Sequence, residues 1–457
     1  MAGSRARSWT LAGAAAVALL ALLVLLVLLL VPLGRGRAPP PLGLVGARAA
    51  HQQHTRGPLF AGASRVPLAV PPGGPIAGYP AYRRDTGGND DLSARALVLQ
   101  AGSGQIVLAS LPLLLIEPDL EAEVIRRAGL PAATCLLLAA THTHSGPGGF
   151  ADNPLLEAGA LGRFSPESLD ALAGAATAAI RKATADLRPA RLDLAQADWP
   201  QGPATPRGAH PIDPMLTALR FSDAQGAAIA TVVDYAMHPT VIPRSQRQLS
   251  GDWPEAAALE LERVSRAPAL VLQGAVGDAT WDRGTGRDVE APEAVAQRLG
   301  REVAARALLQ LAGAVPSSGV AAPGPADAPV DLSCSTRLLR LPEPEASAAV
   351  PWLFRRVAGS GLRLFAGRAV LQTTIDLPGL RLVGVPGEPV GELGLRARAA
   401  SPVPLALVGL ADGYAGYVET PERATAGQGE SARTWFGPGL AEALGLSRPA
   451  EPGRPAP

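Results

Sequence analysis

Two histidines, His142 and His144, stand directly after an apolar run and directly before a turn rich in glycine and proline. The stretch 134–150 reads TCLLLAATHTHSGPGGF, and its apolar part is typical of a strand covered on both faces. In an extended backbone, residues i and i+2 project to the same side, so we expect the two imidazoles to point together out of the strand end. Such a pair binds a metal ion or transfers protons; the alternative is a pair of hydrogen-bonded structural histidines.

Other strand-like runs also end in polar residues. In open α/β sheets the ligand crevice lies outside the carboxyl ends of the strands, so the repeated pattern predicts that these residues form one site. Helix-like segments at 254–266, 292–311 and 389–400 follow three of the runs, which favours an α/β fold with a parallel or mixed sheet. The runs and their polar ends are 228–237 with His238, 268–273 with 274–280 (GAVGDAT), 380–386 with Glu388, and 403–410 with 411–417 (ADGYAGY).

These residue types suit metal-assisted hydrolysis. Two histidines and a glutamate, with a further oxygen donor and an open position, form a catalytic zinc site, in which the ion activates water and polarises a carbonyl. Spacing alone leaves the choice of ligands open among His142, His144, His238 and Glu388, since His238 before proline also suits a turn and Glu388 also suits a helix N-terminus. The sequence has no HExxH or GxSxG motif, which argues against the common metalloproteases and serine hydrolases.

Composition bounds the class of protein. The chain has 457 residues, 47% of them hydrophobic, which is enough for a large core. Its net charge of +1 gives no indication of a nucleic-acid partner. The two cysteines, Cys135 and Cys334, lie in separate strand-like runs and outside any CxxC pair, so we predict buried free thiols and no cysteine ligation of zinc.

The N-terminal region differs from the rest of the chain. Residues 9–33 are 25 residues without a charge, long enough to span a bilayer, so we predict an uncleaved membrane anchor over residues 1–33. Two arginines on each side of this run leave its orientation open. Residues 34–63 are rich in proline, glycine and arginine, which predicts a tether to a globular domain at 64–446. Residues 447–457 are predicted to be a disordered tail.

Local patterns predict three further elements of the domain. Residues 96–100 and 105–112 are typical of a hairpin that turns at two glycines. Residues 118–128 have helical spacing, and 165–187 form an amphipathic helix with a Ser-Pro-Glu capping signal. These elements lie before and after the strand that leads to His142.

Several motifs, taken in order, carry a family resemblance. The segments THTHSGPGGF (141–150), YAMHPTVI (235–242), GDAT (277–280), VPGEP (385–389) and GYAGYVETPE (413–422) resemble the successive motifs of the neutral/alkaline, non-lysosomal ceramidases. The resemblance runs from about Val66 to Leu446 and implies the N-terminal catalytic domain of that family. It implies an α/β fold with two mixed sheets layered between helices, and a chain that ends before the C-terminal β domain of full-length ceramidases.

The resemblance also implies roles for individual residues. His144 would handle protons beside the metal-bound water, Thr280 would stand where the family has a serine, and Arg207 would be the arginine near the substrate. The family tyrosine expected twelve residues after Tyr417 is replaced by Gly429. The implied zinc ligands are His142, His238, Glu388 and Tyr417.

The leading hypothesis is therefore a membrane-anchored zinc amidase, with its catalytic domain on the periplasmic or extracellular face. It would cleave the N-acyl bond of ceramide or a related acyl-amide lipid to a sphingoid base and a fatty acid. One alternative is a zinc hydrolase of another acylated amide or ester. Another, suggested by Gly429 and Thr280, is a lipid-binding or zinc-binding relative without turnover. The natural substrate and the oligomeric state are open at this point.

Overall fold

A computed structural model describes residues 50–79, 82–88, 90–130, 134–282, 290–313, 328–347 and 352–447. The strands are β1 Ala50–Pro67, β2 Pro75–Ile76, β3 Arg83–Arg84, β4 Ser93–Ala101, β5 Gly104–Leu111, β6 Cys135–Ala140, β7 Arg188–Pro189, β8 Arg191–Asp198, β9 Ala204–Pro206, β10 Met215–Ser222, β11 Ala228–Tyr235, β12 Ala269–Leu272, β13 Ala279–Trp281, β14 Pro329–Arg340, β15 Ala369–Leu377, β16 Leu380–Val385, β17 Glu388–Pro389, β18 Leu405–Gly409 and β19 Tyr417–Val418. The helices are α1 Pro118–Ala128, α2 Pro154–Leu156, α3 Pro166–Ala185, α4 Asp252–Ser265, α5 Pro292–Leu311, α6 Trp352–Phe365, α7 Gly391–Ala400, α8 Pro421–Ala426 and α9 Gly439–Ala443, with a π-turn at Glu157–Leu161 and a 3₁₀ turn at Ser431–Arg433.

The larger sheet is built on the long strand β1. The first half of β1 pairs with β14 and the second half with β4, so that the strand order is β18-β16-β15-β14-β1-β4-β5-β6. The pairs β5–β6 and β16–β18 are parallel, and the other neighbours along this order are antiparallel. This sheet is therefore mixed, as the sequence predicted.

A second sheet, in the order β12-β11-β10-β8, packs face to face against the first. Alternate residues of β4 show how the layers meet. Leu97 and Leu99 share a buried core with residues of the second sheet such as Leu219, whereas Val98 shares a core with Ile180 of α3 on the opposite face. Helices α4 and α5 cover the outer face of the second sheet. The order of layers is thus helix, sheet, sheet, helix, and the predicted mixed α/β fold is confirmed.

The predicted fold class also contained an N-terminal transmembrane helix, and that part of the prediction is corrected. Among the helices of the described residues, none is long and apolar enough to cross a membrane. The two helices of 20 residues, α3 and α5, carry exposed charges such as Glu167, Arg181 and Arg301, because only one side of each packs on a sheet. Residues 9–33, for which the span was predicted, lie outside the described residues, and the membrane attachment that it implied is withdrawn.

The predicted tether over residues 34–63 is also wrong from Ala50 onward. This part of it forms most of β1. The first half of that strand is hydrogen-bonded to β14 and the second half to β4. Composition suggested a linker because glycine and proline weaken strands locally, but pairing with β14 and β4 outweighs that local preference. The earlier part of the predicted tether and residues 448–457 of the predicted tail lie outside the described residues.

The prediction of two free thiols is wrong as well. Cys135 at the start of β6 and Cys334 in β14 form a disulfide bridge across a sequence separation of 199 residues. The two strands are far apart in the order of the larger sheet, yet the sheet curls so that β6 approaches β14 and β15; the side chain of Thr373 in β15, for example, donates to the carbonyl of Leu136. Sequence alone gives no sign of this curl, and therefore none of the pairing.

Candidate metal centre and active site

The candidate site lies where several strands end. His142 follows β6 and His238 follows β11, while Glu388 of β17 pairs in register with Tyr417 of β19. His142 has a left-handed backbone (φ 69°), so the chain turns sharply there and is not extended as predicted. The imidazoles of His142 and His144 nevertheless come together, with ring centroids 4.9 Å apart.

Four side-chain atoms converge on one point. His142 Nε2 lies 3.3 Å from His238 Nε2 and 3.2 Å from Glu388 Oε2. His238 Nε2 lies 3.3 Å from the same carboxylate oxygen and 3.2 Å from the Tyr417 hydroxyl. The side chains of His142, His238 and Glu388 are at most 2% exposed, so the cluster has little contact with bulk solvent.

Backbone carbonyls decide which nitrogen of each histidine faces this point. His142 Nδ1 donates to the carbonyl of Leu114 at 2.7 Å, and His238 Nδ1 donates to the carbonyls of Val276 and Ala279 at 2.8 and 3.1 Å. A carbonyl only accepts, so in the neutral rings Nδ1 carries the proton and Nε2 presents a lone pair. The two Nε2 lone pairs then face each other and Glu388 Oε2, a carboxylate oxygen that accepts no hydrogen bond from the described residues.

Such a group of acceptors is unfavourable unless a cation lies among them. Buried polar atoms are normally paired, and the donor that the described residues place beside these three acceptors is the Tyr417 hydroxyl, 3.2 Å from His238 Nε2. The arrangement in which a backbone carbonyl holds Nδ1 and leaves Nε2 for a metal is common in metalloproteins. Histidine, carboxylate and phenol donors therefore fit a metal ion in this position.

His144 is the third imidazole of the cluster. The ligand atoms of His142, His144 and His238 lie within 4.8 Å of one another, so a metal ion could also be held by these three. However, the closer convergence is that of His142, His238 and Glu388. His144 Nδ1 donates to the carbonyl of Gly78 at 2.8 Å, and its buried Nε2 has no hydrogen-bond partner within the described residues. A free Nε2 beside a metal position is well placed to exchange protons.

Arg207, the residue directly after β9, reaches the same point. Its Nη1 donates to the Tyr417 hydroxyl at 3.4 Å, to the carbonyl of Gly277 at 3.3 Å and to Glu430 Oε1 at 3.0 Å. Thr280 lies in β13, directly after Ala279, whose carbonyl accepts from His238. The structure therefore brings together His142, His144, His238, Glu388, Tyr417 and Arg207, whereas Thr280 is shown only to follow a residue that contacts His238.

Burial and neighbouring charges set the ionisation of the site. Burial would raise the pKa of Glu388, but the two adjacent imidazoles outweigh it and hold the pKa well below its usual value, so the carboxylate is charged. Burial lowers the pKa of His238 to about 4, and burial together with the other two histidines lowers the pKa of His144 well below its ordinary value. Burial, followed by the Glu388 charge, raises the pKa of Tyr417, and Arg207 opposes this.

Two residues of the site were missed in the sequence. The Tyr414 hydroxyl donates to Glu388 Oε1 at 2.6 Å, which leaves Oε2 to face the histidines. Tyr414 is the first tyrosine of the same GYAGY segment that supplies Tyr417, so the motif carried the signal for it. Glu430 contacts Arg207, and an isolated glutamate in a loop gives no such signal.

Comparison with known proteins is consistent with this geometry. Residues 74–276 match the family model for the neutral/alkaline non-lysosomal ceramidase N-terminal region. The match contains the three histidines, whereas Glu388 and Tyr417 lie beyond it. The neutral ceramidase of Pseudomonas aeruginosa is 29% identical over 198 residues, which are 39% of this chain and 29% of that protein. The neutral ceramidase of Mycobacterium tuberculosis is 28% identical over 205 residues, which are 40% of this chain and 32% of that protein.

Solved structures extend the likeness in fold. The crystal structure of the Pseudomonas aeruginosa neutral ceramidase superposes with a TM-score of 0.70 at 20% identity, covering 85% of this chain and 73% of the other. A ceramidase complexed with C2 superposes with a TM-score of 0.69 at 19% identity, covering 88% and 77%. In sequence, the chain matches about three-tenths of the length of these relatives. The ordered motifs, the match over residues 74–276 and the shared fold agree, and together they support a likeness to the neutral/alkaline non-lysosomal ceramidases.

Proposed function

We propose that this protein is a zinc-dependent amidohydrolase that cleaves the N-acyl bond of ceramide or a related acyl-amide lipid, giving a fatty acid and a sphingoid base. The observation that carries the proposal is the convergence of two imidazole lone pairs, a carboxylate and a phenol beside a third, free imidazole. The relatives named above are neutral ceramidases, and one solved neighbour is a complex with C2, which supports a lipid amide as the substrate.

Zinc is the metal that the donor set favours. Nitrogen and oxygen donors at about 2.0–2.1 Å in a tetrahedron lie about 3.3–3.4 Å from one another, and the four measured separations are 3.2 or 3.3 Å. A set of His142, His238, Glu388 and Tyr417 would hold the ion. When bound, zinc supplies Lewis acidity and makes water a good nucleophile near neutral pH.

Residues of the chain would transfer the protons and orient the substrate. Hydrolysis adds the oxygen of water to the acyl carbon, breaks the C–N bond and moves a proton to the leaving nitrogen. In this proposal His144 Nε2 accepts the proton from water and later donates it to the amine. The Arg207 guanidinium, fixed by Gly277 and Glu430, orients polar groups of the substrate beside Tyr417, and the Thr280 hydroxyl takes the part of the family serine.

We also propose that the domain works outside the cytoplasm. The bridge between Cys135 and Cys334 supports this, because disulfides persist in oxidising compartments and are rare in the cytosol.

Two histidine variants of the full-length protein test the proposed function. His238→Ala is expected to lose stoichiometric zinc, since a ligand is removed. His144→Ala is expected to keep zinc and lose turnover by about 10²–10⁴-fold, the usual contribution of general acid–base catalysis. Zinc is measured by elemental analysis, and turnover on N-acylsphingosine and on a shorter N-acyl amide side by side.

His54→Ala is the matched control, because this histidine lies in β1 with its side chain 67% exposed and should affect neither measurement. A zinc-loaded wild type that binds both lipids and hydrolyses neither would refute the amidohydrolase. Full zinc occupancy in His238→Ala would overturn the ligand set.

A further inference from the structure

The loop at residues 427–433 approaches the metal site beside the ligand Tyr417. Its central residue, Glu430, is 5% exposed and accepts from Arg207 Nη1 at 3.0 Å. The other carboxylate oxygen of Glu430 is paired with Arg433. The Arg433 guanidinium in turn lies 5.5 Å from the centroid of the Tyr417 ring. One carboxylate thus joins two cations, one at the hydroxyl of Tyr417 and the other over its ring.

The backbone of Glu430 is itself held in place. Its N–H donates to Glu419 Oε2 at 2.8 Å, and Glu419 is fixed by a 2.7 Å ion pair with Arg423 Nε. Glu419 is 2% exposed, and it follows Tyr417 by two residues, so the carboxylate that anchors the loop belongs to the ligand segment. The loop is therefore hydrogen-bonded to the segment that supplies the ligand.

Gly429 allows this close approach. It has a left-handed backbone (φ 58°), and a Cβ at this position would collide with the Glu419 carboxylate. A side chain at position 429 would displace the group that holds Glu430. The family resemblance predicts a tyrosine at position 429. This chain has a glycine there, and the ion-pair network around Glu419 and Glu430 requires it.

From these contacts we infer that Glu430 is a positioning residue, which fixes Arg207 against the Tyr417 hydroxyl and so sets the orientation of that metal ligand. The inference rests on the proposed function, because it assigns Tyr417 to the metal. If the carboxylate is removed, the anchor that the described residues still give the Arg207 guanidinium, besides Tyr417 itself, is the carbonyl of Gly277. Groups that orient metal ligands are worth about 10–100-fold in metal affinity or activity when they are lost.

A double-mutant cycle on zinc affinity tests the inference. Glu430→Gln, Arg207→Met and the double variant are compared with the wild type in full-length protein, with zinc competed by a chromophoric chelator. Each single variant is expected to weaken zinc binding by about 10-fold. Because Glu430 acts through Arg207, the double variant should be no weaker than Arg207→Met alone. Glu422→Gln is the matched control, since Glu422 pairs with Arg396 at the surface and should leave zinc affinity unchanged.

The outcomes separate this inference from the proposed function. Additive losses in the double variant, or unchanged zinc affinity in Glu430→Gln, would overturn the positioning role even if the wild type hydrolyses acyl amides. Conversely, a wild type that binds zinc without any turnover would refute the amidohydrolase, while non-additive zinc affinities would still support the role of Glu430. Thermal unfolding checks that each variant folds. If Glu430→Gln does not fold, Glu430→Asp, which moves the carboxylate away from Arg207, takes its place in the same cycle.

Discussion

At the scale of single residues, backbone carbonyls prepare the metal site. Each imidazole that faces the site is oriented by a carbonyl on its opposite nitrogen: Leu114 for His142, Val276 and Ala279 for His238, and Gly78 for His144. These hydrogen bonds fix both the ring and its tautomer. The chemistry of the site therefore depends on the loops that supply the carbonyls as much as on the histidines.

Gly429 provides a residue-scale prediction for stability and metal binding together. Gly429→Ala should cost about 1–3 kcal/mol of unfolding free energy, because the left-handed backbone strains any L-residue and the new Cβ meets Glu419. Gly445→Ala is the matched control, since Gly445 has a similar φ of 72° with nothing near its Cβ position. Chemical denaturation should therefore give a smaller loss for Gly445→Ala. Zinc affinity should fall only in Gly429→Ala, and an equal effect of the two variants would contradict the clash.

At the scale of elements, strand ends were predictable and strand neighbours were not. The hairpin of β4 and β5 and the helices α1, α3 and α5 follow from local periodicity and capping, and the apolar runs located β6, β11 and β12. Pairing of β1 with β14, or of Cys135 with Cys334, depends on contacts between residues far apart in the chain. Local patterns do not contain that information, which is why a tether and two free thiols were expected there.

The disulfide gives an element-scale prediction. It joins β6, which leads to His142 and lies at one end of the sheet order, with β14 near the middle of that order. Breaking it should lower the free energy of unfolding by about 2–4 kcal/mol, because the oxidised unfolded chain is constrained by a closed loop. Cys135→Ser/Cys334→Ser is compared with the wild type by urea unfolding, with and without reductant. A wild type whose stability is insensitive to reductant, and equal to that of the double variant, would show that the bridge does not form.

At the scale of the whole molecule, the site is assembled from segments spread over most of the chain. His142, His238, Glu388 and Tyr417 come from four strand ends, and the two facing sheets bring them together. The sequence located these residues because each follows an apolar run, and the resemblance supplied their roles. Neither the sequence nor the resemblance predicted the ion-pair network of Glu430, because charged loop residues acquire partners only in the folded chain.

The fold also buries carboxyl groups away from the site, and these should make its stability depend on pH. Burial, with Asp119 and Asp152 nearby, raises the pKa of Glu117 to about 8 from 4.5. Glu117 precedes α1 and accepts from the N–H of Asp119 at 2.7 Å. Its raised pKa means that the folded state holds a proton that the unfolded chain has already lost. This contribution to stability is complete below pH 4.5 and disappears as the pH rises through about 8.

We therefore expect the unfolding free energy to fall between pH 6.5 and 8, by at most about 1.4 kcal/mol per pH unit from this group. The buried imidazoles of His144 and His238 have lowered pKa values and act in the opposite direction, but mainly below pH 6.5. Glu117→Gln keeps an acceptor for the helix N-terminus and should flatten the decline. Glu123→Gln is the control, because hydrogen bonds from its arginine neighbours lower the pKa of Glu123 to about 2, so this variant should leave the slope unchanged. Denaturant unfolding at several pH values measures the slopes, and an equal slope in Glu117→Gln and the wild type would show that this carboxyl is ionised in the folded protein.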